Sequence, residues 1–562
     1  MFRRIIPRIL HTHKSTTANR AFSTVVKKTS ARKYYGAGLL LATAAGYVFH
    51  QSNQRIEAKE KRHHDLEQIA EVDHPEKKQK LLNKLADTLI SELESALNKD
   101  RVNVTESVRG QHGKDFSYHE PHLPDVVVFP ESEKEIQSVV ELCAKYNVPI
   151  IPYGGGTSLE GHTSAVLGGV CLSFAKMNKV VKINKDDMDV TVQPGITYDE
   201  LNEALKDTGL FFPMDPGPGA CIGGMVGTSC SGTHAVRYGT MKENVLNLKV
   251  VLPDGTLVKT ANRAKKSSAG YDLTHLFVGS EGTLGIVSEI TLRLKIRPQK
   301  TAVSVTTFPS NHHAAQTVIE TMKSGVQIGR AELLDEVMIK AVNQNSDLEL
   351  KEAPTLFFEF SGTDKQVDEQ IAIVKDIVNN NKGQGFKFAV DVDERERLWT
   401  ARKIALWSAP ILKPESDVWI TDVCVPISKL ADCIQETKDD LDKSFLLAPM
   451  VSHAGDGNFH LFILFNSKDK KESDEAKRLN TRLVERAIKM EGTCTGEHGV
   501  GVGKRAYLEK ELGPGAIKLM RTIKKAVDPH NLFNPGKIIP DEQGHNKEAD
   551  KEVEKESQSK PK

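Results

Sequence analysis

The chain has 562 residues, 39% hydrophobic and 27% charged, with seven cysteines and no CxxC pair. That length admits roughly three to four folding units with ample core, and the composition is that of an ordinary globular protein. Collagen-like, coiled-coil, wholly disordered, polytopic-membrane and cysteine-rich zinc-module classes are therefore excluded. The formal charge of +1 hides an asymmetry. Residues 1–33 carry nine Lys/Arg and no acid, leaving 67 basic against 75 acidic residues in the remainder, a balance of −8. A mildly acidic body argues against a nucleic-acid surface, which needs clustered positive charge.

In chain order, residues 1–33 are Arg- and Ser/Thr-rich, as in a mitochondrial presequence. Residues 34–50 contain the uncharged run Tyr34–Phe49, read as a membrane anchor. Sixteen residues at ~1.5 Å rise span roughly 24 Å, slightly less than the ~30 Å hydrocarbon core. A helical linker is expected over 57–110, with Leu81, Leu82, Leu85, Leu89, Ile90, Leu93 and Leu97 at helical spacing. A first α+β unit is expected over 115–298. It starts with the strand DVVVFP and a helix capped by Ser132, with Glu135 in the capping-box position. Asp254-Gly255 marks a hairpin. A second unit, 300–540, reads as a sheet with helices on one face. The charged tail 541–562 reads as disordered.

Five glycine- or histidine-bearing stretches carry chemistry. Gly154-Gly155-Gly156-Thr157-Ser158 follows an apolar strand and exposes successive N–H groups, a concavity suited to a pyrophosphate or to a tight turn. Around Asp215, and again through Gly223, Gly224 and Thr228, small residues imply close approach to a large flat ligand. Gly282 and Ile286 lie in GSEGTLGI, before a buried strand. His453 and His460 flank an Asp-Gly turn, and Glu497-His498 sits in a glycine-bounded loop. Two His and a Glu can hold a divalent metal with a coordination position open, or be structural. Asn534 belongs to an Asn-Pro-Gly turn near the end. GVGVGK at 499–504 is not a phosphate loop, because Arg505 stands where Ser/Thr is needed.

Together PYGGGTSLEG, FFPMDPGPGACIGGMVGT, VGSEGTLGI, HAGDGNFH, GEHGVG and DPHNLFNPGK resemble the FAD-linked oxidases of the vanillyl-alcohol-oxidase type. Within that family they resemble the branch of mitochondrial, cytochrome-reducing D-lactate dehydrogenases. The resemblance implies an α+β fold: a two-subdomain FAD-binding (PCMH-type) domain followed by a ferredoxin-like FAD-linked oxidase C-terminal domain. It implies non-covalent FAD, its pyrophosphate held by Gly154, Gly155, Gly156, Thr157 and Ser158. It places Asp215, Gly223, Gly224, Thr228, Gly282, Ile286 and Asn534 along the flavin and its tail. It implies a divalent metal, zinc or manganese, on His453, His460 and Glu497, with His498 as base and Arg402 clamping the substrate carboxylate.

Dicarboxylate-oxidising relatives carry a lysine and an asparagine where this chain has Ile420 and Phe462. These departures point to a small monocarboxylate; the resemblance implies D-lactate as substrate, with D-2-hydroxyglutarate or another D-2-hydroxy acid as the alternative. The expected partners are cytochrome c as electron acceptor and the inner membrane through one N-terminal helix; no nucleic acid is expected. A metallohydrolase built on the same His, His and Glu would be colourless and would leave the glycine loops unexplained.

Overall fold

The computed structural model describes residues 75–389 and 391–540. The expected presequence, the anchor at 34–50, the start of the linker and the tail at 541–562 lie outside the described residues. Among the described residues no helix is long and apolar enough to cross a membrane. The linker expectation meets a helix at Pro75–Leu97, on which Leu89, Leu93 and Leu97 are buried at the anticipated spacing.

Two sheets follow. The first runs Val102–Asn103, Val126–Val128, Val170–Ser173, Ile150–Tyr153, with the last three parallel. The helix Glu133–Tyr146 covers it with Ile136, Val139, Val140 and Cys143. Ser132 caps that helix by accepting the Glu135 N–H at 3.4 Å. The capping box stays half-made, because the Glu135 carboxylate turns to the Glu131 N–H and to Arg101. The second sheet is antiparallel, in the order Val180–Asn184, Asp189–Val192, Ile286–Arg293, Val245–Val251, Leu257–Lys259. Asp254-Gly255 turns its last hairpin, with Gly255 at φ +84°.

An eight-stranded antiparallel sheet occupies the C-terminal half. Its order is Gln384–Ala389, Lys300–Thr307, Thr355–Gly362, Arg330–Leu334, Met450–His453, Asn458–Phe465, Asp417–Ile420, with Val423–Cys424 also paired to Asn458–Phe465. The helices Asn311–Lys323, Asp364–Asn380 and Lys470–Lys489 supply the helical layer expected for this unit.

The expectation of helices on one face is corrected here. Phe358 and Phe360 pack into a core with Val318, Val374, Ile434 and Leu483, whereas Phe357 points the other way, onto Met338, Trp399 and Ala405. Adjacent strand residues point to opposite faces, so two fully buried neighbours such as Phe357 and Phe358 require cover on both sides. The second cover comes from Glu336–Asn345 and Val392–Lys403, helices that start on Asp335 and Asp391 side-chain caps.

The chain ends by returning to the first sheet. Ile150 donates its N–H to the Leu532 carbonyl at 2.8 Å and accepts from Asn534 N at 2.8 Å. Phe533 is fully buried between these bonds. Lys524 Nζ donates to the Thr283 and Phe533 carbonyls at 2.7 and 2.9 Å. Phe533→Ala should cost about 3–5 kcal/mol, the usual range for a buried phenylalanine, and should lower the urea midpoint measured by tryptophan fluorescence.

Candidate functional site

The C-terminal ends of the parallel strands, the small-residue loops and one face of the large sheet enclose one cavity of about 490 Å³. Gly154–Ser158 leave the strand Ile150–Tyr153 directly into its wall. A Cβ on Gly155 would run into the Gly219 carbonyl, so the two glycine stretches can approach only without side chains. Gly223, Gly224, Thr228, Gly282, Asp215 and Asn534 line the same cavity. Ile286 does not line it: it is buried in a strand opposite Val251, and its neighbours Gly285 and Val287 reach the wall instead. The Asp215 carboxylate is already engaged, accepting from Thr233 Oγ1 at 2.6 Å, the His234 N–H and Arg330.

The histidine side is built by strand register. His453 pairs across the sheet with Glu332, and Val451 with His460, so both imidazoles stand on one face. The turn between them needs Gly457 at φ +80°, where a Cβ would strike the Val425 carbonyl. The rings lie 5.5 Å apart at 85°. His453 Nδ1 meets Glu332 Oε1 at 2.9 Å, and His460 Nδ1 meets the Thr421 carbonyl at 3.0 Å. Each Nε2 therefore points at Glu497 Oε1, at 3.0 and 3.3 Å. Burial lowers the His453 affinity for protons, but Glu332 and Glu497 outweigh it and drive its pKa well up. For Glu497 the burial effect is outweighed by His453 and His460, and its carboxyl sits well below the ordinary range. Three converging ligand atoms with their far sides already held is a donor set that fits a divalent cation.

His498 stacks on His460, centroids 4.8 Å apart and nearly parallel. Its backbone N–H and that of Glu497 both bond Asp422 Oδ2, at 2.9 and 3.0 Å. Burial, with His460 and Lys504 beside it, pulls the His498 pKa down to about 4 despite Asp422. The ring is thus neutral at pH 7, and its Nδ1 is buried without a partner. Arg402 lines the cavity with Nε and Nη2 both 2.7 Å from Glu332 Oε2. Ile420 and Phe462 are cross-strand partners and form one apolar wall of this cavity.

The flavin half also fits its group. Asn534 Oδ1, Thr163 Oγ1 and His162 Nδ1 belong to lining residues and are buried without hydrogen-bond partners, and a Cβ on Gly217 or Gly224 would meet only open space.

Three carboxylates escaped the sequence reading. Glu332 is 1% exposed, and its signal is a lone acid in the apolar strand Arg330–Leu334. Asp422 is fully buried; the attraction of Lys504, His498 and His460 outweighs that burial and holds its carboxyl far below its usual value. Glu281 lies within the GSEGTLGI stretch, where the glycines around it draw attention from the acid. Its oxygens accept the Val500 and Gly501 N–H groups at 2.6 and 2.9 Å. Ser231 adds a 2.5 Å bond to Glu497 Oε2 across the two halves.

Comparison with known proteins gives the following. The model of the FAD binding domain matches residues 124–261, and that of the FAD linked oxidases, C-terminal domain, matches 297–538. The D-lactate dehydrogenase [cytochrome], mitochondrial, of Arabidopsis thaliana is 53% identical, covering 80% of each chain. Its Kluyveromyces lactis namesake is 43% identical, covering 88% of each. Among solved structures, p-cresol methylhydroxylase superposes with a TM-score of 0.69 at 17% identity, over 82% of this chain and 98% of that one. Alkyldihydroxyacetonephosphate synthase superposes at 0.65 and 23% identity, over 80% and 84%. These two share the PCMH-type fold.

For Glu281, burial raises the carboxyl pKa, but His162 and the two N–H bonds outweigh it and leave it lowered. A depressed folded pKa gives stability that is present at neutral pH and lost as pH falls below about 4.3. Glu281→Gln should cost about 2 kcal/mol or more at pH 7, with the gap to the parent narrowing toward pH 3 in urea titrations.

Proposed function

This chain belongs to the FAD-linked oxidase family and is an FAD-dependent oxidoreductase; we propose that it oxidises D-lactate to pyruvate. The observation that carries this reading is the convergence, in one cavity, of a glycine-walled cradle and a cluster of imidazoles and carboxylates. In this reading residues 115–298 hold the cofactor and residues 300–540 present the substrate. Gly154, Gly155, Gly156, Thr157 and Ser158 would hold the pyrophosphate of FAD. Gly223, Gly224, Thr228, Gly282 and Asn534 would border the rest of it. When bound, FAD supplies a hydride acceptor at N5 and passes the electrons onward.

Arg402 orients the substrate. Its Nε and Nη2 already serve Glu332, and its remaining N–H donors are free to hold the lactate carboxylate as a charge-assisted pair. His453, His460 and Glu497 would hold a divalent metal, zinc or manganese, which when bound polarises the 2-hydroxyl. His498, neutral at pH 7, takes the hydroxyl proton while the C2 hydrogen departs with its electron pair. Ile420 and Phe462 place apolar surface where a second carboxylate would have to be solvated, which disfavours 2-hydroxyglutarate. The names of the relatives support a cytochrome as electron acceptor and a mitochondrial location. The −8 balance of the body favours a basic partner such as cytochrome c. The acid-free residues 1–33 and the uncharged run Tyr34–Phe49 support import and anchoring at the inner membrane.

The purified chain should be yellow and should bleach with D-lactate but not with L-lactate or D-2-hydroxyglutarate. A colourless protein, or equal bleaching by both lactate enantiomers, contradicts the reading. His498→Ala should retain flavin yet slow anaerobic bleaching about 10²–10⁴-fold; an unchanged rate removes His498 as the base.

A further inference from the structure

A second cleft, of about 860 Å³, opens where the connection between the two halves leaves the five-stranded sheet. It shares no lining residue with the flavin cavity. Six cations line it: Arg237, Arg263, Lys265, Arg293, Lys295 and Arg297. The acids facing them are Asp186, Asp187 and Asp189. Arg263 alone takes Asp187 at 3.0 Å and Asp189 at 2.6 Å. Three of the other cations sit against rings or a carbonyl. Arg237 and Lys295 both lie over the Tyr238 ring, at 5.6 and 5.9 Å, Arg297 lies over Phe211 at 5.9 Å, and Arg237 Nη1 donates to the Gln327 carbonyl. The two-residue strand Lys295–Ile296 pairs with Leu210–Phe211, which fixes this group in one place. Arg293 Nε is buried without a hydrogen-bond partner.

Crowding of uncompensated cations destabilises a fold unless something answers the charge. Burial, with Arg293 and Lys265 nearby, lowers the Lys295 pKa from its ordinary value. Guanidinium forks match the paired oxygens of a phosphate in plane and spacing, and a lysine adds a point charge. We propose that this cleft binds a multiply charged, phosphate-bearing anion through Arg237, Arg293, Lys295 and Arg297. The same chemistry is offered by a free polyphosphate and by a phospholipid headgroup. The exposed Ile296, 68% accessible beside Lys295 and Arg297, leaves the rim open to either.

The test uses the FAD-loaded full chain, so that the flavin's own pyrophosphate fills the glycine cradle. In one arm inorganic pyrophosphate is titrated calorimetrically at two salt concentrations. In the other the protein is floated with phosphatidylcholine vesicles, with and without cardiolipin, whose headgroup carries two phosphates; the plain vesicles report any contribution of residues 34–50. Binding in either arm that weakens at least about tenfold in R293Q/K295Q supports the site, and the responding arm identifies the source. Arg237→Gln, on a different element, repeats the comparison should the double variant lose its yellow colour. No binding by the parent in either arm, or binding that none of the variants weakens, overturns the proposal.

Discussion

The loop from Thr495 to Gly501 is gripped from both sides by buried carboxylates. Asp422, from the large sheet, takes the N–H groups of Glu497 and His498 and the Thr495 hydroxyl. Glu281, from the glycine-rich half, takes those of Val500 and Gly501. Buried charge is costly unless fully answered, so each carboxylate binds the loop to one half of the molecule. Lys504 reinforces this grip, spanning Glu160 at 3.2 Å and Asp422 at 3.4 Å. Together with the Ser231–Glu497 and Arg330–Asp215 bonds, it gives the imidazole cluster and the glycine cradle a common frame.

Glu332 plays a similar part inside the catalytic half. One oxygen orients His453 and the other is shared by two nitrogens of Arg402. The proposed metal ligand and the proposed carboxylate clamp thus hang from a single acid on a central strand. Any shift of that strand moves both together, which preserves the distance between the two ends of a small hydroxy acid. The rigidity comes from the sheet, where the neighbours Leu333 and Leu334 are fully buried on opposite faces.

Much of this was legible beforehand. Glycine runs and a His–Asp-Gly–His hairpin advertise themselves locally, because their conformations exclude most other residues. The cap at Ser132 and the turn at Asp254-Gly255 are local in the same sense. Glu332, Asp422 and Glu281 were not legible as partners, because each acts across a separation of 70 or more residues. The second helical layer was missed for a related reason. Val392–Lys403 has almost no amphipathic pattern: its sequence VDERERLWTARK is mostly charged, and among its described side chains only Trp399 is buried. Ile286 shows the opposite error, a motif residue whose side chain serves the core while its neighbours line the cavity.

The bond pair at Ile150 joins a strand near the front of the chain to Leu532 and Asn534 near its end. A growing polypeptide emerging from the ribosome could fold the first two sheets early, but it would lack one wall of the cofactor chamber until almost every residue had been made. On the placement of FAD proposed above, the complete chamber is available to the flavin only once the chain has been made as far as Asn534.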